Sequence, residues 1–171
     1  MTGPYSDFTS ARYDPTIGPL PITLWRCVLT SGTEDSYSVT RTIDGRPYFL
    51  SLTDTAGQEE YRGLWAASNL RSDAFLLVYD ITSPSTVESL DYFLQMIDME
   101  CDHRQDSGAV QPVKLVAGNK CDLRDARQVS ARSGLEWARS RGCGFMETSA
   151  REMVNIEETF ARTPSSLLTQ Y

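Results

Sequence analysis

The chain has 171 residues, 40% of them hydrophobic and 23% charged, which is the size and composition of one globular domain with its own core. Its net charge of −7 argues against a nucleic-acid-binding surface. The four cysteines show no CxxC spacing and there is a single histidine, His103, so the sequence predicts reduced cytosolic thiols and no zinc site.

The first part of the chain combines a tail with an unusual loop. Residues 1–12 (MTGPYSDFTSAR) predict a flexible tail. The segments YDPTI (13–17) and EDSY (34–37) look like the two halves of one short loop, and residues 18–33 separate them. This inserted segment is Pro-rich at its start and apolar afterwards, so its character differs from that of the flanking loop.

From Ser38 onward, strand and helix patterns alternate. SVTRTI (38–43) and YFLSLT (48–53) flank the turn DGRP and predict a hairpin. Continuous apolar runs predict buried parallel strands, and residues with helical spacing separate them. The strands are 74–80, 113–118 and 144–148, and the helices are 83–101 and 130–141. This alternation predicts an α/β sheet with helices on both faces.

Three polar clusters follow predicted strands. DTAGQEEY (54–61) follows the second hairpin strand, GNKCDL (118–123) follows VKLVAG, and ETSA (147–150) follows the last strand. Each cluster alone is weak evidence for a ligand-binding site, because a D-x-x-G sequence is usually a turn and an NKxD sequence can cap a helix. Together they occupy the carboxyl ends of strands, where open α/β sheets bind ligands.

These three motifs, in this order, resemble the Ras family of small GTPases from about Tyr13 to Phe160. The resemblance implies a P-loop GTPase-like fold that binds GTP and GDP with Mg²⁺. It implies that Asn119 and Asp122 recognise guanine, that Lys120 lies against the ring, and that Ser149 and Ala150 support the base. A carboxylate selects guanine because adenine lacks the matching pair of donors.

The resemblance also implies roles around the phosphates. Gln58 would orient the attacking water as the catalytic residue, and Gly57 would contact the γ-phosphate. Asp54 and Thr16 would hold Mg²⁺. The remaining implied positions belong to the first switch loop, with Tyr13 near the nucleotide and effector contacts at Glu34, Asp35, Ser36 and Tyr37.

The chain departs from the family pattern because it contains no G-x-x-x-x-G-K-[ST] loop, and no lysine precedes Lys114. The expected fold therefore lacks the family's first strand, phosphate loop and first helix. Losing three charge-assisted hydrogen bonds to phosphate costs roughly 5–9 kcal/mol, or about 10³–10⁶-fold in affinity.

The segment NIEETFAR (155–162) begins a last helix that Thr163-Pro164 stops, and residues 163–171 predict an irregular tail without a prenylation box.

Removal of residues 18–33 joins YDPTI to EDSY and restores an uninterrupted switch loop. With suitable codons, the DNA that encodes this segment begins with GT and ends with AG, and the codons for Leu29-Thr30 can contain a branch-site sequence. We therefore infer that the segment is a retained intron. The alternative is a natural loop insertion. In the folded chain, ITLWRCVL (22–29) could replace the missing strand. Because Arg26 interrupts the run and no crossover helix follows, an irregular exposed excursion is the preferred prediction.

The functional prediction is a GTP-hydrolysing molecular switch of signal transduction, with nucleotide binding impaired in this chain. Its implied partners are effector proteins, an exchange factor and a GTPase-activating protein, and neither nucleic acid nor a lipid anchor is expected. We expect a cytoplasmic location, in contrast to the inner face of the plasma membrane for an intact family member. The alternatives are a nucleotide-free module that sequesters effectors or exchange factors, and a product of mis-splicing without function.

Overall fold

A computed structural model describes the backbone of residues 22–29, 35–43, 46–56 and 72–160, and the side chains of 38, 40, 42, 49–53 and 72–160. The described strands are β1 (Ile22–Leu29), β2 (Asp35–Ile43), β3 (Arg46–Ala56), β4 (Ala74–Asp80), β5 (Val113–Asn119) and β6 (Gly144–Glu147). The helices are α1 (Pro84–Ser107) and α2 (Ala131–Ser140), with a short 3₁₀ helix at Arg124–Ala126. No helix in these ranges is long and apolar enough to cross a membrane.

The strands form one mixed sheet in the order β2-β3-β1-β4-β5-β6, in which only the β2–β3 pair is antiparallel. The α/β prediction is thus confirmed. The predicted hairpin is also confirmed, but both of its strands are longer than the sequence pattern indicated. β2 begins at Asp35 and β3 continues to Ala56, so Asp54 lies inside β3 and not after it.

The prediction of an irregular excursion at residues 22–29 is wrong, because this segment is the central strand β1. It pairs in parallel with β3, from Ile22 opposite Phe49 to Leu29 opposite Ala56, and with β4 from Trp25 opposite Ala74. Without β1, the facing backbone groups of β3 and β4 would lose their ladder partners, which is costly inside a sheet.

The connection from β1 to β2 explains why no crossover helix is needed. A crossover is required between parallel strands, but β2 runs antiparallel to β3. Its first residue, Asp35, stands opposite Asp54, near the same end of β3 where Ala56 pairs with Leu29. The end of β1 and the start of β2 therefore lie at the same end of β3, and no crossover between parallel strands is required.

Apolar side chains on both faces of the sheet are buried. On one face, alternate residues of β4 pack against α1 and α2 in a cluster that includes Phe75, Leu77, Tyr79, Leu90, Phe93, Ile97 and Ala138. On the other face, Leu50, Leu52, Ala74, Leu76, Leu115 and Ala117 form a second cluster, against which Phe160 packs. Phe160 belongs to a helical turn at 156–160, which begins one residue later than predicted; the predicted stop at Thr163-Pro164 lies outside the described residues.

Candidate functional site

The polar cluster of the described chain lies at the rim of the sheet where the parallel strands end, and we call this rim the carboxyl rim. Asn119 is the last residue of β5, and its side-chain Oδ1 accepts hydrogen bonds from the Ala150 amide at 3.2 Å and the Thr148 hydroxyl at 3.5 Å. The Cys121 amide donates to the Thr148 carbonyl at 3.0 Å. The loop after β5 is therefore joined to the loop after β6 through both side-chain and backbone bonds.

A second bond between these loops fixes a carboxylate. The Ser149 hydroxyl, fully buried, donates to Asp122 Oδ1 at 2.6 Å and accepts from the Glu152 amide at 3.0 Å. Ser149 also exchanges two backbone hydrogen bonds with Val154, which closes the loop after β6. Within the described part of the chain, Asp122 Oδ2 has no hydrogen-bond partner. Asp122 is thus held by one oxygen and presents the other.

Lys120 is joined to the other side of the loop. Its Nζ lies 2.5 Å from Asp80 Oδ2, at the end of the neighbouring strand β4. Asp80 Oδ1 accepts from both the amide and the hydroxyl of Thr82, at 2.8 and 2.7 Å. Burial raises the pKa of Asp80, but the hydrogen bonds from Lys120 and Thr82 outweigh it, and the pKa lies below its usual value. Asp80 is therefore a fixed anion beside Lys120.

Arg127, just after the 3₁₀ helix, and Glu147, at the end of β6, form an ion pair. Arg127 donates to both carboxylate oxygens of Glu147, at 2.5 and 3.0 Å, and also to the Val129 carbonyl. Such bidentate pairs hold planar groups in one orientation. Burial raises the pKa of the Cys121 thiol, with the charges of Glu147 and Asp122 acting in the same direction. Cys121 is therefore a neutral thiol in this loop, not an activated nucleophile.

The structure brings together five of the residues that the sequence predicted, namely Asn119, Lys120, Asp122, Ser149 and Ala150. Asp35 and Asp54 stand opposite each other in the β2–β3 ladder at the carboxyl rim, and Ser36 and Tyr37 follow in β2, but only the backbone of these residues is described. Tyr13, Thr16, Glu34, Gly57 and Gln58 lie outside the described residues.

Sequence reasoning missed Asp80 and gave Glu147 no role. The signal for Asp80 was present, because a charged residue ends the buried strand AFLLVYD at the rim where the other polar clusters lie. Glu147 belongs to the recognised ETSA cluster, but its partner Arg127 is 20 residues earlier in the chain, and no pattern connects the two.

The residues present fit a guanine base. Guanine offers two adjacent donors, N1–H and the exocyclic amine, which suit a carboxylate with an available oxygen. Amide and carboxylate groups from two loops also lie together at the carboxyl ends of parallel strands, where α/β sheets bind ligands. The resemblance assigns Mg²⁺ to Thr16, which lies outside the described residues, and to Asp54, of which only the backbone is described.

The sheet and its polar rim define an α/β protein with the architecture of a nucleotide-binding domain. A family model described as Ras family matches residues 27–169. The Ras-like protein rasZ of Dictyostelium discoideum is 39% identical over 158 residues, which cover 91% of this chain and 62% of that protein. The chain belongs to the Ras family of small GTPases. It spans less than two thirds of the length of this relative.

Proposed function

We propose that this chain binds guanine nucleotides chiefly through the base. Asp122 would accept hydrogen bonds from the two guanine donors, and Asn119 and Ala150 would hold the two loops around the ring. The observation that carries the proposal is the bond from the buried Ser149 hydroxyl to Asp122 Oδ1, which fixes the carboxylate and leaves Oδ2 available. A carboxylate fixed before the ligand arrives avoids an ordering cost on binding.

Membership of the Ras family further suggests that the protein hydrolyses GTP and acts as a switch. Gln58 would then position the attacking water, and Thr16 and Asp54 would hold Mg²⁺. Mg²⁺ would neutralise the phosphate charge during hydrolysis. In this chain, however, only residues 30–34 connect β1 to β2, and the sequence contains no phosphate-binding motif. We therefore propose weak GTP binding and negligible hydrolysis for this chain. Effectors, an exchange factor and a GTPase-activating protein are the partners that the family membership suggests, in a cytoplasmic setting.

A titration with a fluorescent guanine nucleotide tests this proposal. We expect a Kd above about 1 µM, competition by guanosine, and no competition by adenosine. Asp122→Ala should abolish the preference for guanine, whereas Asp125→Ala, an exposed carboxylate in the adjacent 3₁₀ helix, should leave it unchanged. Equal competition by adenosine contradicts base recognition. Sub-micromolar, Mg²⁺-dependent affinity for GTP contradicts the proposed loss of phosphate binding.

A second candidate is a nucleotide-free interaction module. The lack of a G-x-x-x-x-G-K-[ST] motif in the sequence favours it, because the family's switch responds to phosphates that this motif holds. Residues Asp35–Tyr37 lie at the start of β2, an edge strand of the sheet that the described strands form, so their backbone is placed for contact with a partner. Effector or exchange-factor binding that neither GTP nor guanosine changes would favour this candidate over the switch.

A further inference from the structure

The pairing of Lys120 with Asp80 affects which guanine compounds the site can prefer. Lys120 is the lysine of the base-binding loop, and its side chain is 52% exposed, whereas that of Asp80 is 19% exposed. Asp80 is fixed at its other oxygen by two bonds from Thr82. The less exposed and better anchored partner of the pair is thus the anion, Asp80, and the more exposed partner is Lys120.

In residues 119–127 and 147–152, cationic side chains do not outnumber carboxylates. Arg127 is held by Glu147, and Arg151 lies 3.8 Å from Glu152. The remaining charged residues of the two loops are Asp122, Arg124 and Asp125. With Asp80 included, the residues 80, 119–127 and 147–152 carry four cationic and five carboxylate side chains, a net charge of −1. Such a site does not attract phosphate.

We propose that Asp80 determines specificity in this chain: it neutralises Lys120, so that the site takes neutral guanine nucleosides as readily as their phosphates. The proposal rests on the proposed function, because it requires that guanine binds between these loops. The first phosphate of a nucleotide lies within about 8–10 Å of its base, which is one Debye length at physiological salt, so the charge state of the Lys120–Asp80 pair acts on it.

The experiment compares the Kd of guanosine with that of GMP by calorimetry without Mg²⁺, in the full chain. The ratio of the two values, guanosine over GMP, should lie within about twofold of one for the wild type. Asp80→Asn releases the Lys120 charge and should raise the ratio by about threefold to tenfold at low salt, with the rise lost at about 1 M salt. Asp80→Glu keeps the carboxylate and should restore a ratio near one.

Lys120→Gln provides a variant of opposite sign. It leaves the Asp80 carboxylate uncompensated, so the ratio should fall by about threefold, and this result stands even if Asp80→Asn does not fold. The matched control is Asp98→Asn, which removes the carboxylate 2.7 Å from Lys114, the other lysine of the chain. Lys114 lies near the start of β5 and Lys120 just past its end, so this change adds the same charge away from the carboxyl rim.

The outcomes separate this inference from the proposed function. Guanosine binding with a ratio that Asp80→Asn and Lys120→Gln leave unchanged overturns the role of Asp80 alone, and so does an equal response in Asp98→Asn. A wild-type ratio clearly more than about twofold in favour of GMP overturns it as well, because the site would then attract phosphate. The absence of binding by both guanosine and GMP overturns the proposed function and the inference together.

Discussion

The Ser149 hydroxyl donates a 2.6 Å hydrogen bond to Asp122 Oδ1 and accepts one from the Glu152 amide, so a single buried side chain joins the two loops of the candidate site. Ser149 is in the loop after β6 and Asp122 in the loop after β5. A bond between loops 27 residues apart in the chain fixes the carboxylate relative to the sheet. The stability of these loops and the proposed recognition of guanine therefore both depend on the Ser149 hydroxyl.

Ser149→Ala should weaken both properties. The substitution leaves the Glu152 amide and Asp122 Oδ1 without their partner, which should lower the free energy of unfolding by about 1–3 kcal/mol. Guanosine affinity should fall as well, because Asp122 becomes free to rotate. Denaturant unfolding and a guanosine titration measure the two effects. Ser140→Ala, which removes two exposed bonds, one to the Trp137 carbonyl and one from Arg141, should change stability by less than about 0.5 kcal/mol. Equal effects of the two substitutions would contradict the coupling.

The central position of β1 predicts strong protection from hydrogen exchange. Amides in residues 23–28 should exchange slowly, because β1 pairs with β3 along its whole length and residues 25–28 also pair with β4. Cys27→Pro should greatly destabilise the protein, since Cys27 stands opposite both Asp54 and Leu76 and proline cannot donate to a ladder. Rapid exchange of residues 23–28, at the rate of an unstructured peptide, would mean that β1 does not hold this place in solution.

The sequence was sufficient for the parts of the fold that depend on local pattern. Strand β4 begins and ends where its apolar run does, and α2 lies within its predicted limits. Strand β1 was misjudged, because its placement depends on which backbone groups β3 and β4 would otherwise leave unpaired, and this is a property of the whole sheet. The residues proposed to bind the base follow motifs in the sequence, whereas the role proposed for Asp80 depends on its distance to Lys120.

The depressed pKa of Asp80 predicts a loss of stability in acid. A carboxyl group whose pKa is lower in the folded state stabilises that state above the unfolded pKa, and the contribution disappears as the pH falls through the folded pKa. Asp80→Asn should therefore cost about 1 kcal/mol near pH 6, a modest value because Lys120 is half exposed, and less at pH 2–3.

Urea unfolding of both proteins at several pH values checks this prediction. Thr82→Val removes one of the two Thr82 donors to Asp80 Oδ1 and keeps the backbone one, so its acid sensitivity should lie between those of the wild type and Asp80→Asn. A difference between wild type and Asp80→Asn that stays constant from pH 6 to pH 2 would show that the carboxylate charge contributes nothing to the folded state.

Tyr79 has a buried hydroxyl without a hydrogen-bond partner in the described part of the chain, and its side chain is 1% exposed. Burial raises its pKa to about 12, with the nearby charge of Glu147 adding to the rise and that of Arg127 opposing it, so the ring stays neutral at any physiological pH. Removal of an unpaired buried hydroxyl costs nothing in hydrogen bonds. Tyr79→Phe should therefore keep or raise the free energy of unfolding, by up to about 2 kcal/mol.

The same hydroxyl explains why α2 contains a glycine. A Cβ at Gly134 would overlap the Tyr79 hydroxyl and would also lie 3.0 Å from the Phe145 ring. Gly134→Ala should cost about 1–3 kcal/mol through this overlap, although alanine favours a helix by about 1 kcal/mol. In the Tyr79→Phe background the cost should fall by at least about 1 kcal/mol, which a double-mutant cycle measures by denaturant unfolding. Arg139→Ala, an exposed change on the same helix, should add independently to Tyr79→Phe. If Gly134→Ala is equally additive, the hydroxyl does not limit the approach of α2 to the sheet.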